Sequence, residues 1–200
     1  ADHGLTEAGA SFLSDRVGQT VCSERVTIRD DFAHPLHRGI PFDIEGVARK
    51  RVELIRDGVA KGPVFTWENA RRLEAEATGH HQSETVVGEY EGARHLVMEG
   101  EGSTQEELLE VVGDGVVIPG LERLRLVDSQ AIRVTGVSTG GVRVVEGGAL
   151  VASGPPMRME CGLIELLCGV LGTGTPVWSV GGIVPAIAVE HLPLRSTRAF

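Results

Sequence analysis

Two rhythms of apolar and polar residues divide the chain. The first has a period near two. It shows in "TVCSERVTIRD", which predicts a strand over 20–30 with partial alternation. It returns on both sides of Asp57-Gly58 in "VARKRVELIRDGVAKGPVFT". An Asp-Gly pair between two such runs predicts a hairpin, because the favoured two-residue turn needs left-handed backbone at both positions. The intervening "DDFAHPLHRGIPFDIEG" is rich in turn formers and reads as loop. Further on, Gly140-Gly141 and Gly147-Gly148 punctuate "AIRVTGVSTGGVRVVEGGALVASG", which predicts a β-meander. "IVPAIAVEHLPL" predicts one more strand, with Pro185 near its start, where proline is tolerated.

The second rhythm is helical. Trp67, Ala70, Leu73 and Ala77 predict a helix over roughly 67–77, with Thr66 as cap and Gly79 as terminator. Ser103-Thr-Gln-Glu106 has the spacing of a capping box and opens a second helix, with Leu108, Leu109 and Val112 as its apolar stripe. Leu163, Leu166, Leu167, Val170 and Leu171 predict a third over about 162–171, widened by Ile164 and Cys168 into a deeply buried element. The expected fold is α+β and β-rich. Mostly antiparallel strands form meander or barrel-like sheets, with about three helices, in one domain over 1–200. Alternating βαβ units are not evident.

Composition narrows the function. The net charge is -9, which disfavours a nucleic-acid partner, since phosphate binding needs a concentrated basic surface. At 4% aromatic residues, base-stacking platforms are also disfavoured. A peptide, a small molecule or another protein fits better. Three cysteines, Cys22, Cys161 and Cys168, form no CxxC pair and point to a reducing, cytoplasmic setting. No apolar run reaches the length of a membrane helix. The first residues lack the blocks of a signal peptide and an initiator Met, as expected of a processed, trimmed or internal start.

Candidate chemistry is sparse. His80 and His81 are adjacent, so on regular backbone they point different ways and do not chelate one ion together. A metal ligand with partners elsewhere, a polar loop beside a pocket and a solvated loop all stand open for them. His34-Pro-Leu-His37 has HxxH spacing, but Pro35, Gly39 and Pro41 argue for loop. Cys168 carries a thiol able to ligate zinc or attack, yet its apolar helix favours packing, as for Cys22 and Cys161. Asp30, Asp31, Asp43 and Glu45 offer carboxylates for acid–base work, or simply turn formation and solvation. The glycines at 172–174 and 181–182 match no phosphate loop.

The order of segments resembles the C-terminal region of the TldD/TldE family (TldE is also called PmbA), zinc-dependent peptidases once labelled modulators of DNA gyrase. "SFLSDRVGQTVCSERVTIRDD", "RGIPFDIEGVARKRVELIRDGVAKG", "ARRLEAEATGHHQSE", "RHLVMEGEGSTQEELLEVVGDGVVI" and "LIELLCGVLGTG" follow one another as the family's blocks do, over about residues 10 to 195. The resemblance implies an enzyme of two related subunits, in a hetero- or homodimer, acting on small or unfolded peptides. One subunit carries a His-Glu-x-x-x-His zinc helix and a later cysteine ligand. Neither is expected here: the helix belongs just upstream of the block matching residues 1–12, and Cys168 precedes the expected ligand position. The family's N-terminal domain is likewise expected to be absent. The TldE-like, non-zinc partner is therefore expected, with no cofactor in this chain and zinc in the partner subunit or a missing upstream segment. Thr78, Gly79, His80 and His81 fall in the family's Thr-Gly loop, as cleft-lining candidates, with a solvated loop expected for His81. The alternatives are a catalytic fragment whose zinc helix lies before residue 1, with Cys168, His80 or His81 as a further ligand, and a non-enzymatic scaffold or binding module.

Overall fold

The Asp57-Gly58 signal is met in the structure, a computed structural model that describes residues 16–37, 39–84, 88–129, 131–179 and 181–197. Strands β2 (Val52–Arg56) and β3 (Val59–Ala60) pair antiparallel around it, with φ of 49° at Asp57 and 74° at Gly58. Only a residue without a side chain fits at Gly58. A Cβ there would meet the Cys22 carbonyl oxygen at 2.4 Å. The block "SFL" at the start of the family resemblance lies outside the described residues.

The chain groups into two compact units. Unit 1 comprises Ala1–Glu99 and Pro176–Pro185; unit 2 comprises Gly100–Thr175 and Ala186–Phe200. In unit 1, β1 (Ile28–Asp30), β2, β3, β6 (Leu96–Met98), β14 (Val177–Ser179) and β15 (Gly182–Val184) form one sheet in the order β14-β15-β6-β1-β2-β3. The β6–β15 pair is parallel, and the other described pairs are antiparallel. Val26, Ile55, Val97 and Ile183 are buried in this unit. A separate two-stranded ladder joins β4 (His81–Glu84) to β5 (Gly88–Glu91), and helix α1 (Trp67–Arg72) precedes it.

Unit 2 holds three more sheets among the described residues. β7 (Gly115–Val117), β10 (Val142–Glu146) and β11 (Ala149–Gly154) form one, in the order β11-β10-β7. β8 (Leu121–Asp128), β9 (Arg133–Ser138), β12 (Met157–Gly162) and β17 (Leu194–Ser196) form another, in the order β17-β12-β9-β8. β13 (Val170–Thr173) pairs with β16 (Ile187–Val189), and helix α2 (Gln105–Val112) packs on that pair. Helix α3 spans Leu163–Cys168. The α+β class, the antiparallel bias and the three helices agree with the sequence pattern.

Several elements depart from it. Helix α1 ends at Arg72, and Leu73 caps it, so 73–77 is not helical. Glu74 takes a positive φ of 53°, which an α-helix excludes. The Thr66 cap is as expected, its hydroxyl accepting from the Asn69 amide. The capping box of α2 is Thr104 with Glu107, one residue later than Ser103 with Glu106. Helix α3 has no buried residue and Cys168 is exposed, so the deeply buried helix is not found. The apolar stripe includes Val170 and Leu171, which instead open β13. The strand expected over 20–30 is regular only from Ile28. The meander is partial: β10 and β11 form a hairpin, while β9 pairs with β8 and β12. "IVPAIAVEHLPL" is several strands, because Pro185 interrupts the ladder and the chain passes there from unit 1 to unit 2.

Candidate functional site: a buried carboxylate and two adjacent histidines

Gly79 positions the histidine pair. Its φ is 70°, and a Cβ would fall 2.6 Å from the Ala48 carbonyl oxygen. The chain thus lies flat against the 47–50 segment, fixed further by the Lys50 amide donating to the Thr78 carbonyl at 3.0 Å. Past Gly79 the chain becomes extended and His81 opens β4. Successive side chains of an extended segment point to opposite sides. His80 therefore enters the interior of unit 1 and His81 faces the 43–47 turn.

His80 is fully buried. Its Nδ1 lies 2.9 Å from the Thr78 hydroxyl, which also contacts the Phe65 amide and carbonyl. Its Nε2 lies 3.3 Å from Asp30 Oδ1, an ion-pair distance without hydrogen-bond alignment. Asp30, at the end of β1, is also fully buried. Its Oδ2 accepts from the amides of Arg94 and His95, at 2.6 and 2.8 Å. Burial alone would push the Asp30 carboxyl up. His80 beside it and these two amides outweigh that and hold it below the usual carboxylate range. His95 Nδ1 stands 3.8 Å from Asp30 Oδ1. Burial lowers the affinity of the His95 ring for a proton, with Arg49, His37 and Arg94 adding to this and Asp30 opposing it.

His81 is not in a solvated loop. Its amide donates to Asp43 Oδ2 at 3.1 Å, its Nδ1 lies 3.2 Å from Glu45 Oε2, and its Nε2 lies 3.5 Å from Glu89 Oε2. Asp43 is buried and builds the turn: Oδ1 accepts from the amides of Glu45 and Val47, each at 3.0 Å. Asp31 is also buried, between Arg29, Arg51 and the Ala33 amide. So three of the four carboxylates expected to be solvated are interior, although Asp43 does form the expected turn.

Of the HxxH pair, His37 reaches the cluster, its ring 5.3 Å edge-on from His95, while His34 caps its own loop through the Leu36 amide. Arg49 and Gln82 complete the interior, joined at 3.1 Å, and burial lowers the Arg49 guanidinium against the pull of Asp30 and Asp43. Sequence reasoning missed His95, Arg49 and Gln82. The signal was there for Gln82, since positions 80 and 82 share one side of an extended segment.

In unit 2, Cys161, Leu166, Cys168, Glu190 and His191 are among the residues lining a cavity of about 290 Å³. Cys161 is buried, which raises its thiol, with Arg133 opposing. Cys22 is buried in unit 1, so packing describes Cys22 and Cys161 but not exposed Cys168. Among the described residues, no group of three or more His, Cys, Asp or Glu side chains is arranged to hold a metal ion. Both ring nitrogens of His80 and of His81 already face protein groups. The described residues do not form a zinc site on their own.

Fold and sequence together define the class, a mostly antiparallel α+β domain of a metallopeptidase family. Residues 3–195 match the family model described as "PmbA/TldA metallopeptidase C-terminal domain", and the chain belongs to that family. It is 34% identical over 120 residues to a metalloprotease of Archaeoglobus fulgidus, covering 60% of this chain and 28% of that protein. It is 32% identical over 116 residues to metalloprotease PmbA of Escherichia coli O157:H7, covering 56% and 23%. The fold matches a Thermotoga maritima protein described as a modulator of a DNA gyrase, with a TM-score of 0.84 at 23% identity, over 97% of this chain and 44% of that one. The chain thus spans less than half the length of these relatives. A TldD homolog of Haemophilus influenzae and TldE of Thermococcus kodakarensis both stand among the matches, so they do not favour the TldE side. Among the described residues, no helix is long and apolar enough to cross a membrane.

Proposed function

We propose that this chain is the non-zinc part of a TldD/TldE-type metallopeptidase that acts on small or unfolded peptides in the cytoplasm. The metal comes from a related subunit or from a segment preceding residue 1. The observation that carries this reading is the commitment of the histidines. Both ring nitrogens of His80 and of His81 face Thr78, Asp30, Glu45 and Glu89 rather than converging on one point. The cluster is structural: it fixes the Thr78–His81 segment against β1 and the 43–47 turn. Thr78, Gly79 and His81 then shape a cleft wall.

A peptide or partner strand finds an edge at β8. This outermost strand of its sheet is exposed throughout, with Leu124 57%, Leu126 60% and Val127 58% accessible. Strand addition there supplies main-chain hydrogen bonds to an extended chain. The test is peptide hydrolysis by the purified complex with zinc present, with this chain included or left out. Loss of turnover on omission is expected. A complex that hydrolyses no peptide with zinc present would falsify the reading.

One observation favours a second reading, a catalytic fragment. Cys168 is exposed and lines the unit 2 cavity with His191. A thiolate there is one donor toward a metal completed from outside the described residues. A His-Glu-x-x-x-His directly upstream of Ala1, together with zinc binding that Cys168→Ser weakens at least about tenfold, would establish it.

A further inference from the structure

The polarity of the 40–49 segment is inside out. Ile40, Phe42 and Ile44 are 59%, 52% and 53% exposed, while Asp43 and Arg49 are only 4% and 9% exposed. Burying charge and leaving large apolar side chains in water both oppose folding. The two buried groups nevertheless hold the segment. The Asp43 amide donates to the Val47 carbonyl, Asp43 Oδ1 accepts from the Glu45 and Val47 amides, and Oδ2 accepts from the His81 amide. The Arg49 amide donates to the Pro41 carbonyl at 2.9 Å, and Arg49 Nε donates to the Phe42 carbonyl at 3.3 Å. Phe42 also bridges to Ala48, and the alternation of extended backbone that turns Asp43 inward turns Phe42 and Ile44 outward. An exposed apolar surface marks an interaction site, and one fixed in advance loses little entropy on meeting its partner.

The surrounding charge selects the partner. Arg49 is turned inward, Lys50 pairs with Glu76, and Arg51 pairs with Asp31. Glu45, next to Ile44, and Glu89 of β5 both stand beside the one His81 ring, 3.2 and 3.5 Å from its nitrogens. One imidazole carries at most one positive charge, so the two carboxylates leave net negative charge at this rim whatever the state of the ring. We propose that the 40–45 turn is a docking lip for unfolded peptide segments in which apolar side chains stand next to a lysine or arginine. Phe42 and Ile44 take the apolar side chains, and Glu45 and Glu89 meet the cation. The assignment rests on the peptidase function proposed above and names its substrate class. The Ile44 amide donates to the His81 carbonyl at 3.5 Å, so the lip adjoins the Thr78–His81 wall.

Affinity for two labelled, end-capped peptides tests this in the purified protein, with and without its related subunit and with a chelator present to stop turnover. The peptides share one apolar core and differ only in flanking lysines or glutamates. The lysine-flanked peptide is expected to bind about fivefold tighter or more at low salt, the difference shrinking as salt is raised. Phe42→Ser and Ile44→Ser, at exposed positions, should each weaken its binding about fivefold or more without moving the denaturant midpoint. Glu45→Gln combined with Glu89→Gln should remove most of the lysine preference, which an overall charge of -9 acting alone would largely preserve. Equal affinity for the two peptides, full affinity in the serine variants, or an intact lysine preference in the double variant overturns the proposal. So does a lip covered by a second copy or by the related subunit, seen as an association that Phe42→Ser abolishes and peptide does not displace. The peptidase function fails separately. Peptide that binds but is not hydrolysed by the zinc-loaded complex sinks that function alone, whereas hydrolysis with KM unchanged in Phe42→Ser sinks the docking lip alone.

Discussion

Asp30 has the most to lose from a single substitution. It is fully buried, and its two oxygens serve two amides and face two imidazoles. Removing one member of a buried pair leaves the other uncompensated, at about 3 to 5 kcal/mol. Asp30→Ala should lower unfolding stability by that order, read from denaturant midpoints. Because the folded-state carboxyl is held below its usual range, its contribution is complete above about pH 4 and is lost as pH falls through the depressed value. The wild type should therefore lose stability in acid more steeply than Asp30→Asn. Gly79→Ala faces a positive φ and a Cβ contact at 2.6 Å, and should cost at least about 1 kcal/mol. The sequence showed these residues as candidates but not their burial. A carboxylate beside another in "DD" carries no local mark of the distant amides, those of Arg94 and His95, that take it inside. His81 was equally opaque, because Glu45 and Glu89 are brought to it by the turn and by β5.

Elements were legible where the signal is local. Asp57-Gly58 and the Thr66 cap depend on two to four neighbouring residues, and both are as read. The α2 cap was one residue off because Ser103 and Thr104 both have an acidic residue three positions on. The choice falls to Thr104, while Ser103 bridges to Gly174. Thr104→Ala should cost about 1 kcal/mol and Ser103→Ala far less, and thermal melts of the two variants separate them. Long-range pairing overrode the pattern elsewhere. The 162–171 stripe breaks at Gly169, where backbone pairing with β16 wins over helix continuation. Pro185 splits an apolar run that periodicity alone joins.

At the scale of the whole molecule, the fold class was readable from glycine spacing and alternation. The division into two units was not, because 176–185 returns to the first unit from a distance in sequence. Family membership rests on the order of blocks, each weak alone, and the family model covers nearly the same span. The proposed function turns on whether this chain holds the metal itself. Elemental analysis of zinc per purified chain, after chelation of loosely held ions and with the related subunit absent, addresses that directly. The account predicts zinc well below stoichiometric. About one tightly held zinc per chain would contradict it and move the chemistry to the cavity beside Cys168.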